Sequence, residues 1–134
     1  MTVTKSETLP VETDQDIVMV RQTVRKLSQQ LSFSLVDQTK MVTAASELAR
    51  NTVVHGGGGE MRLQALNDGP RRGVKVVFVD SGPGIPDIEL AMKDGYTTRG
   101  GLGLGLSGSK RLVNEFGIDS TPGKGTTVSI VRWR

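Results

Sequence analysis

Glu47 and Asn51 stand four residues apart in "ELARN", which places a carboxylate and an amide oxygen on one face of a helix. Oxygen donors of this kind suit a hard cation, or a base working beside one. Two solvated polar residues would show the same spacing. A second stretch, "DSGPGIP", runs from Asp80 to Pro86, where an apolar run ends on a carboxylate. The two glycines and two prolines that follow sustain neither strand nor helix. Asp80, Gly82 and Gly84 form a D-x-G-x-G pattern. The carboxylate can accept a hydrogen bond from an amine such as that of adenine, and the glycines let backbone pass close to a flat ring. An ornate turn is the alternative. The third stretch is "GGLGLGLSG", Gly100 to Gly108. Glycines at 101, 103 and 105, interleaved with Leu102 and Leu104, leave backbone N–H groups free to converge just before a helix. A nest of amides at a helix start is a phosphate cradle.

Two weaker matches fail on context. Gly103, Gly105 and Gly108 satisfy G-x-G-x-x-G, but that fingerprint needs a strand directly before it and a βαβ unit around it. Here a long glycine-bearing loop precedes it. "GKGTT" has the look of a P-loop lysine, yet Ile118 stands where the first glycine belongs and Gly125 where Ser or Thr belongs. It reads as a turn.

Positioning these residues requires a scaffold, and hydrophobic spacing outlines one. Asp14 to Leu31 carries Ile17, Val20, Val24, Leu27 and Leu31 at helical intervals, with Thr13 as N-cap and Asp16 completing a weak capping box. A second helix runs from Leu35 to Val54 with Met41, Ala45, Leu48 and Thr52 on one stripe, and "HGGGG" stops it through a left-handed cap. The period then changes to two. "EMRLQAL" alternates, "NDGPRRG" is a loop, and "VKVVFVD" is a more buried strand. Gly82 to Gly105 holds at most a short helix, "DIELAMKDG", and a loop this long is usually functional. A helix "LSGSKRLVNEF" and two strands, "GIDST" and "GTTVSIVRW", close the chain. The expectation is an α+β fold: a two-layer sandwich with helices on one face of a mixed, mostly antiparallel sheet.

Composition narrows the function classes. The 134 residues fit one domain, 1–134, with its own core. The longest uninterrupted apolar stretch, Val76 to Val79, is far below a membrane span. "MTVTKSETLP" has no apolar signal-peptide region. A cytoplasmic protein without a membrane partner is expected. The absence of cysteine excludes disulfides and thiolate metal sites. The single histidine, His55, argues against a histidine-rich metal site or a Ser-His-Asp triad. A net charge of +3, scattered basic residues and 4% aromatics argue against nucleic-acid binding.

In this order and spacing the three stretches resemble the N, G1 and G2 boxes of the GHKL (Bergerat-fold) ATP-binding superfamily. Gyrase, Hsp90 and histidine kinases belong to it. The chain has no room for a histidine-kinase dimerisation helix pair or a gyrase transducer domain. From about residue 10 onward it is most similar to the small anti-sigma-factor serine/threonine kinases, the RsbT-like branch. That resemblance implies ATP and Mg²⁺ as cofactors, with a lid at about Pro86 to Leu106. Glu47 would be the base beside the substrate hydroxyl, and Asn51 a metal ligand. Asp80 would meet the adenine amine with Gly82 and Gly84 under the ring. Gly101 to Gly105 would cradle phosphates. Thr126, after "GKG", resembles the threonine that supports the adenine-binding aspartate through water. Arg99, before the glycine run, could reach the γ-phosphate; a solvent-exposed arginine is the alternative. The implied partner is a STAS-domain protein, with a PP2C-type phosphatase, a sigma factor or a second copy of the chain as further candidates. Sequestration of a sigma factor and ATP-dependent docking without transfer are the alternative functions.

Overall fold

The computed structural model describes residues 1–85, 92 and 105–134. The order is β1 (Thr2–Val11), α1 (Asp14–Gln30), α2 (Leu35–Val54), β2 (Gly59–Asp68), β3 (Arg71–Asp80), α3 (Gly105–Arg111), β4 (Glu115–Thr121) and β5 (Gly125–Trp133). The strands form one sheet in the order β1-β2-β3-β5-β4. All four described pairings are antiparallel, which takes the expected "mostly antiparallel" to its limit.

Local chemistry explains where α1 and α2 start and stop. Thr13 Oγ1 accepts from the Asp16 N–H at 3.1 Å and Asp16 Oδ2 accepts from the Thr13 N–H at 3.2 Å. The capping box therefore serves donors that the first turn leaves unpaired. Ser34 does the same for α2, accepting from the Asp37 N–H at 3.1 Å. At the far end the left-handed residues are Gly57 (φ 74°) and Gly58 (φ 103°), with His55 still right-handed. Gly58 N–H returns to the Thr52 carbonyl at 2.9 Å, and the chain turns directly into β2.

One face of the sheet is covered by the helices. Its rungs follow from the register. Met61, Phe78, Val128 and Ile118 lie side by side, and Leu63, Val76, Ile130 and Phe116 form the next rank. Against them pack Ile17, Val20, Val24 and Leu27 of α1 and the full expected stripe of α2, whose apolar members join a single core. Burying each large apolar side chain stabilises the fold by roughly 1.5–3 kcal/mol. α2 also packs against α3, so it is held between two helices and the sheet.

Four boundaries differ from expectation. The expected loop "NDGPRRG" shrinks to Gly69 and Pro70, because Asn67 and Asp68 pair with Arg72 and Arg71 as the ends of β2 and β3. β1 was not foreseen: "TVTKSETLPV" is an exposed edge strand whose one fully buried side chain is Val11, so it carries no apolar alternation. The closing helix ends at Arg111 rather than Phe116, because strand pairing wins there. The Asn114 N–H bonds the Val131 carbonyl at 2.9 Å, and Asn114 Oδ1 accepts from the Trp133 N–H at 2.7 Å. Glu115 and Phe116 accordingly begin β4, two residues before the expected "GIDST". The short helix "DIELAMKDG" and nearly all of the expected lid lie outside the described residues.

Candidate functional site

The inner face of the sheet has one more rung beyond the Phe78 rank, and it is polar. Asp80 on β3 pairs with Thr126 on β5, and Thr126 with Ser120 on β4. Cross-strand partners share a face, so the three side chains lie on the side of the sheet that carries the helices. Asp80 is half-buried. Its Oδ1 accepts two backbone hydrogen bonds, from Gly82 at 2.9 Å and from Thr126 at 3.3 Å. Its Oδ2 lies toward the end of α2, where a Cβ on Gly56 would stand 2.5 Å away. Among the described residues Asp80 has no ion-pair partner. The carboxylate is thus oriented by amides on one oxygen, and no cation among the described residues neutralises the other.

The glycines around it are required by the protein's own backbone. A Cβ on Gly82 would meet the Gly56 carbonyl oxygen at 2.6 Å. Gly84 adopts φ 77°, and a Cβ there would run into the Thr121 carbonyl and stand 3.1 Å from Pro122 Cα. Both glycines of D-x-G-x-G therefore allow close approach between loops. Gly56 and Gly59, read from the sequence as parts of a helix stop, do the same. Gly59 pairs with Asp80, and a Cβ on it would strike the Val79 carbonyl. The turn between β4 and β5 is pinned to the Asp80 loop by Gly123 N–H donating to the Pro83 carbonyl at 2.7 Å.

Asn51 is linked to this rung through the end of its helix. Its carbonyl accepts from His55 at 2.9 Å and from Gly56 at 3.1 Å, and Gly56 abuts Asp80. Glu47 lies one turn earlier on α2, and both side chains are half-buried. Among the described residues no three acidic or histidine side chains cluster as a metal site. A cation here would rest on Asn51 together with oxygens from a ligand and water. Mg²⁺ accepts that arrangement, since it keeps several waters and takes few protein ligands. Arg99, Gly101, Leu102, Gly103 and Leu104 lie outside the described residues; Gly105 is the first residue of α3.

The structure thus brings Asp80, Gly82, Gly84 and Thr126 together and ties the backbone of Asn51 to them through Gly56. Sequence reasoning missed Ser120 and Gly56. Ser120 Oγ accepts from the Ile85 N–H at 2.7 Å, lies 2.8 Å from Thr126 Oγ1 and 3.3 Å from the Gly125 carbonyl. Its only signal is its place six residues before Thr126, which has meaning once the β4–β5 register is known.

Residues 36–134 match the family described as histidine kinase-, DNA gyrase B-, and HSP90-like ATPase. The serine/threonine-protein kinase RsbT of Bacillus subtilis is 44% identical over 123 residues, covering 92% of each chain. An anti-sigma F factor of a Thermoanaerobacter species is 31% identical over 119 residues, covering 84% of this chain and 82% of its own. Among solved structures, the RsbU and RsbW domains of a Mycobacterium tuberculosis protein superpose with TM-score 0.65 at 21% identity. That match covers 98% of this chain and 33% of the other. The mycobacterial sensor histidine kinase MprB superposes with TM-score 0.56 at 19% identity, covering 96% and 97%. The structural likenesses carry the fold and the sequence likenesses carry the branch. The chain belongs to the histidine kinase-, DNA gyrase B- and HSP90-like ATPases, beside the RsbT kinase and the anti-sigma F factors.

Proposed function

We propose that this protein is an ATP-dependent serine/threonine kinase that phosphorylates a STAS-domain antagonist protein in a bacterial partner-switching pathway. The observation that carries the reading is Asp80: a carboxylate at the lip of the sheet with Oδ1 fixed by two amides and Oδ2 beside Gly56, with no ion-pair partner among the described residues. An acceptor held in that way fits the exocyclic amine of adenine. The identity with RsbT over nearly the whole chain supports the same choice of activity.

ATP would supply the transferable γ-phosphate and Mg²⁺ the neutralising charge. Asn51 would hold the metal, and Glu47, on the same helical face, would take the proton of the substrate hydroxyl. Thr126 would support Asp80. Gly101, Gly103 and Gly105 would cradle the phosphates, with Arg99 beside them. Phosphoryl transfer asks mainly for positioning and charge neutralisation. No helix among the described residues is long and apolar enough to cross a membrane.

The test is transfer of radiolabelled γ-phosphate to a purified STAS-domain protein, run beside a nucleotide titration. Glu47→Gln should keep ATP affinity within a few-fold and cut transfer by roughly 10² to 10⁴, the usual worth of a positioned base. Asn51→Ala should weaken both Mg-ATP binding and turnover. Wild-type transfer by Glu47→Gln removes Glu47 as the base. No transfer by the wild-type chain to a verified partner replaces the kinase with an ATP-dependent docking switch, whose target would be a PP2C-type phosphatase. The likeness to anti-sigma F factors favours a second reading, sequestration of a sigma factor by the same domain. Co-purification with a sigma factor would select it.

A further inference from the structure

Ser120 on β4 faces the start of β5 and the loop that follows β3, and its hydrogen bonds can be counted. A serine hydroxyl has one proton to donate and two lone pairs to accept with. One lone pair takes the Ile85 N–H at 2.7 Å. The remaining contacts are the Gly125 carbonyl, an acceptor 3.3 Å away, and Thr126 Oγ1 at 2.8 Å, where either hydroxyl can donate. Whichever way that proton points, Ser120 Oγ holds both the Thr126 hydroxyl and the Ile85 amide. Thr126 N–H meanwhile holds Asp80 Oδ1.

We infer that Ser120 is a positioning residue of the purine end of the nucleotide site, an inference that rests on the nucleotide reading above. It acts through two neighbours. It holds the Thr126 hydroxyl next to the Asp80 carboxylate, and it holds the loop that follows Asp80 by the Ile85 amide. Both effects keep the Asp80 carboxylate oriented, and a carboxylate favours a base that presents an amine to this rung, as adenine does, over one that presents a carbonyl there. Ser120 touches neither the phosphates nor the transferred group in this arrangement, so its contribution belongs to binding and base selection.

The experiment compares wild type, Ser120→Ala and Ser120→Thr by calorimetry with ATP, ADP and GTP, and by the radiolabel assay at saturating ATP. Ser120→Ala should weaken ATP and ADP alike by about tenfold, the scale of one to two lost buried hydrogen bonds. It should reduce the preference for ATP over GTP and leave kcat within about twofold, so that KM alone carries the change. Ser120→Thr keeps the hydroxyl and should stay within about threefold of wild type. Combining Ser120→Ala with Thr126→Val should cost less than the sum of the two. Hydrogen exchange without nucleotide provides an arm independent of binding: the Ile85 amide should exchange faster in Ser120→Ala and not in Ser120→Thr. Unchanged ATP and ADP affinity in Ser120→Ala overturns the inference. So does a fall in kcat with KM intact, or equal damage from Ser120→Thr. Should Ser120→Ala fail to fold, Ser120→Cys, which keeps the volume but hydrogen-bonds weakly, takes its place, and unchanged ATP and ADP affinity there overturns the inference equally. Failure of the wild-type chain to bind either adenine nucleotide overturns the nucleotide reading itself, and this inference with it.

Discussion

The inner face of the sheet ends in a polar rung at both extremes, and the two are built oppositely. At one end Asp80, Thr126 and Ser120 close the core; at the other Arg132 follows Val74 in register. Arg132 is fully engaged. Its Nη2 and Nε donate to Asp37 Oδ1 at 2.5 and 3.2 Å, and its Nη1 donates to the Leu112 carbonyl at 2.9 Å. One side chain thereby ties β5 to the first turn of α2 and to the chain leaving α3. Asp80 is held by backbone amides and glycine contacts, with no cation beside it among the described residues. A charge that is paired stabilises the fold; a charge that is oriented but unpaired is available to a ligand. The same sheet face thus separates a structural end from a receptive one.

Breaking the receptive end should have the largest effect. Asp80→Asn keeps an oxygen for Gly82 and Thr126 but turns the other oxygen into an amide donor facing the ligand. ATP binding should weaken by about 1.5–3 kcal/mol, the range for a charge-assisted hydrogen bond, while the melting temperature changes little. Unchanged affinity by calorimetry would remove Asp80 from the adenine site.

Breaking the structural end should do the reverse. Arg132→Ala removes the guanidinium from Asp37 and the donor from Leu112, at an expected cost of about 2 kcal/mol in urea unfolding at neutral pH. Nucleotide affinity per folded molecule should hold. The pH dependence sharpens the contrast. Hydrogen bonding from Arg132, then from Ser34, with the charges of Arg132 and Lys40, holds the Asp37 carboxyl below its ordinary value of 3.8 despite some desolvation. A depressed folded pKa means the unfolded state binds the proton more readily, so this stability is present above 3.8 and is lost as pH falls through the folded value. The difference between wild type and Asp37→Asn should therefore be full at neutral pH and shrink in acid below 3.8. A difference that grows on acidification would reverse the assignment.

The smallest effect belongs to the exposed turn between β2 and β3. Arg71 Nη2 stands 2.6 Å from Asp68 Oδ2, and its guanidinium lies 4.1 Å from the centre of the Trp133 ring. Both partners of the ion pair are well exposed, so solvent screens it. Asp68→Asn should leave the thermal midpoint indistinguishable from wild type, and a clear drop would show that exposed pairing supports this end too.

Hydrophobic spacing and turn chemistry were enough to place α1 and α2, the burial stripe from Met41 to Thr52, and the strands that end on Asp80 and begin near Thr126. These features depend on neighbours a few residues apart. The edge strand β1 escaped because an exposed strand needs no apolar alternation, and its partner β2 lies some fifty residues away. The end of α3 escaped because Asn114 chooses between continuing a helix and pairing with Val131 and Trp133, a choice decided across the sheet. In the candidate site, Asp80, Gly82 and Gly84 were legible as a motif, but the loop contacts of the glycines were not. Beside the room for a ring that the sequence suggested, the fold brings Gly82 against Gly56 and Gly84 against Thr121. Ser120 shows the same limit. A lone serine in "IDST" carries no signal until antiparallel register sets it opposite Thr126, because register, not residue type, decides which hydroxyls meet.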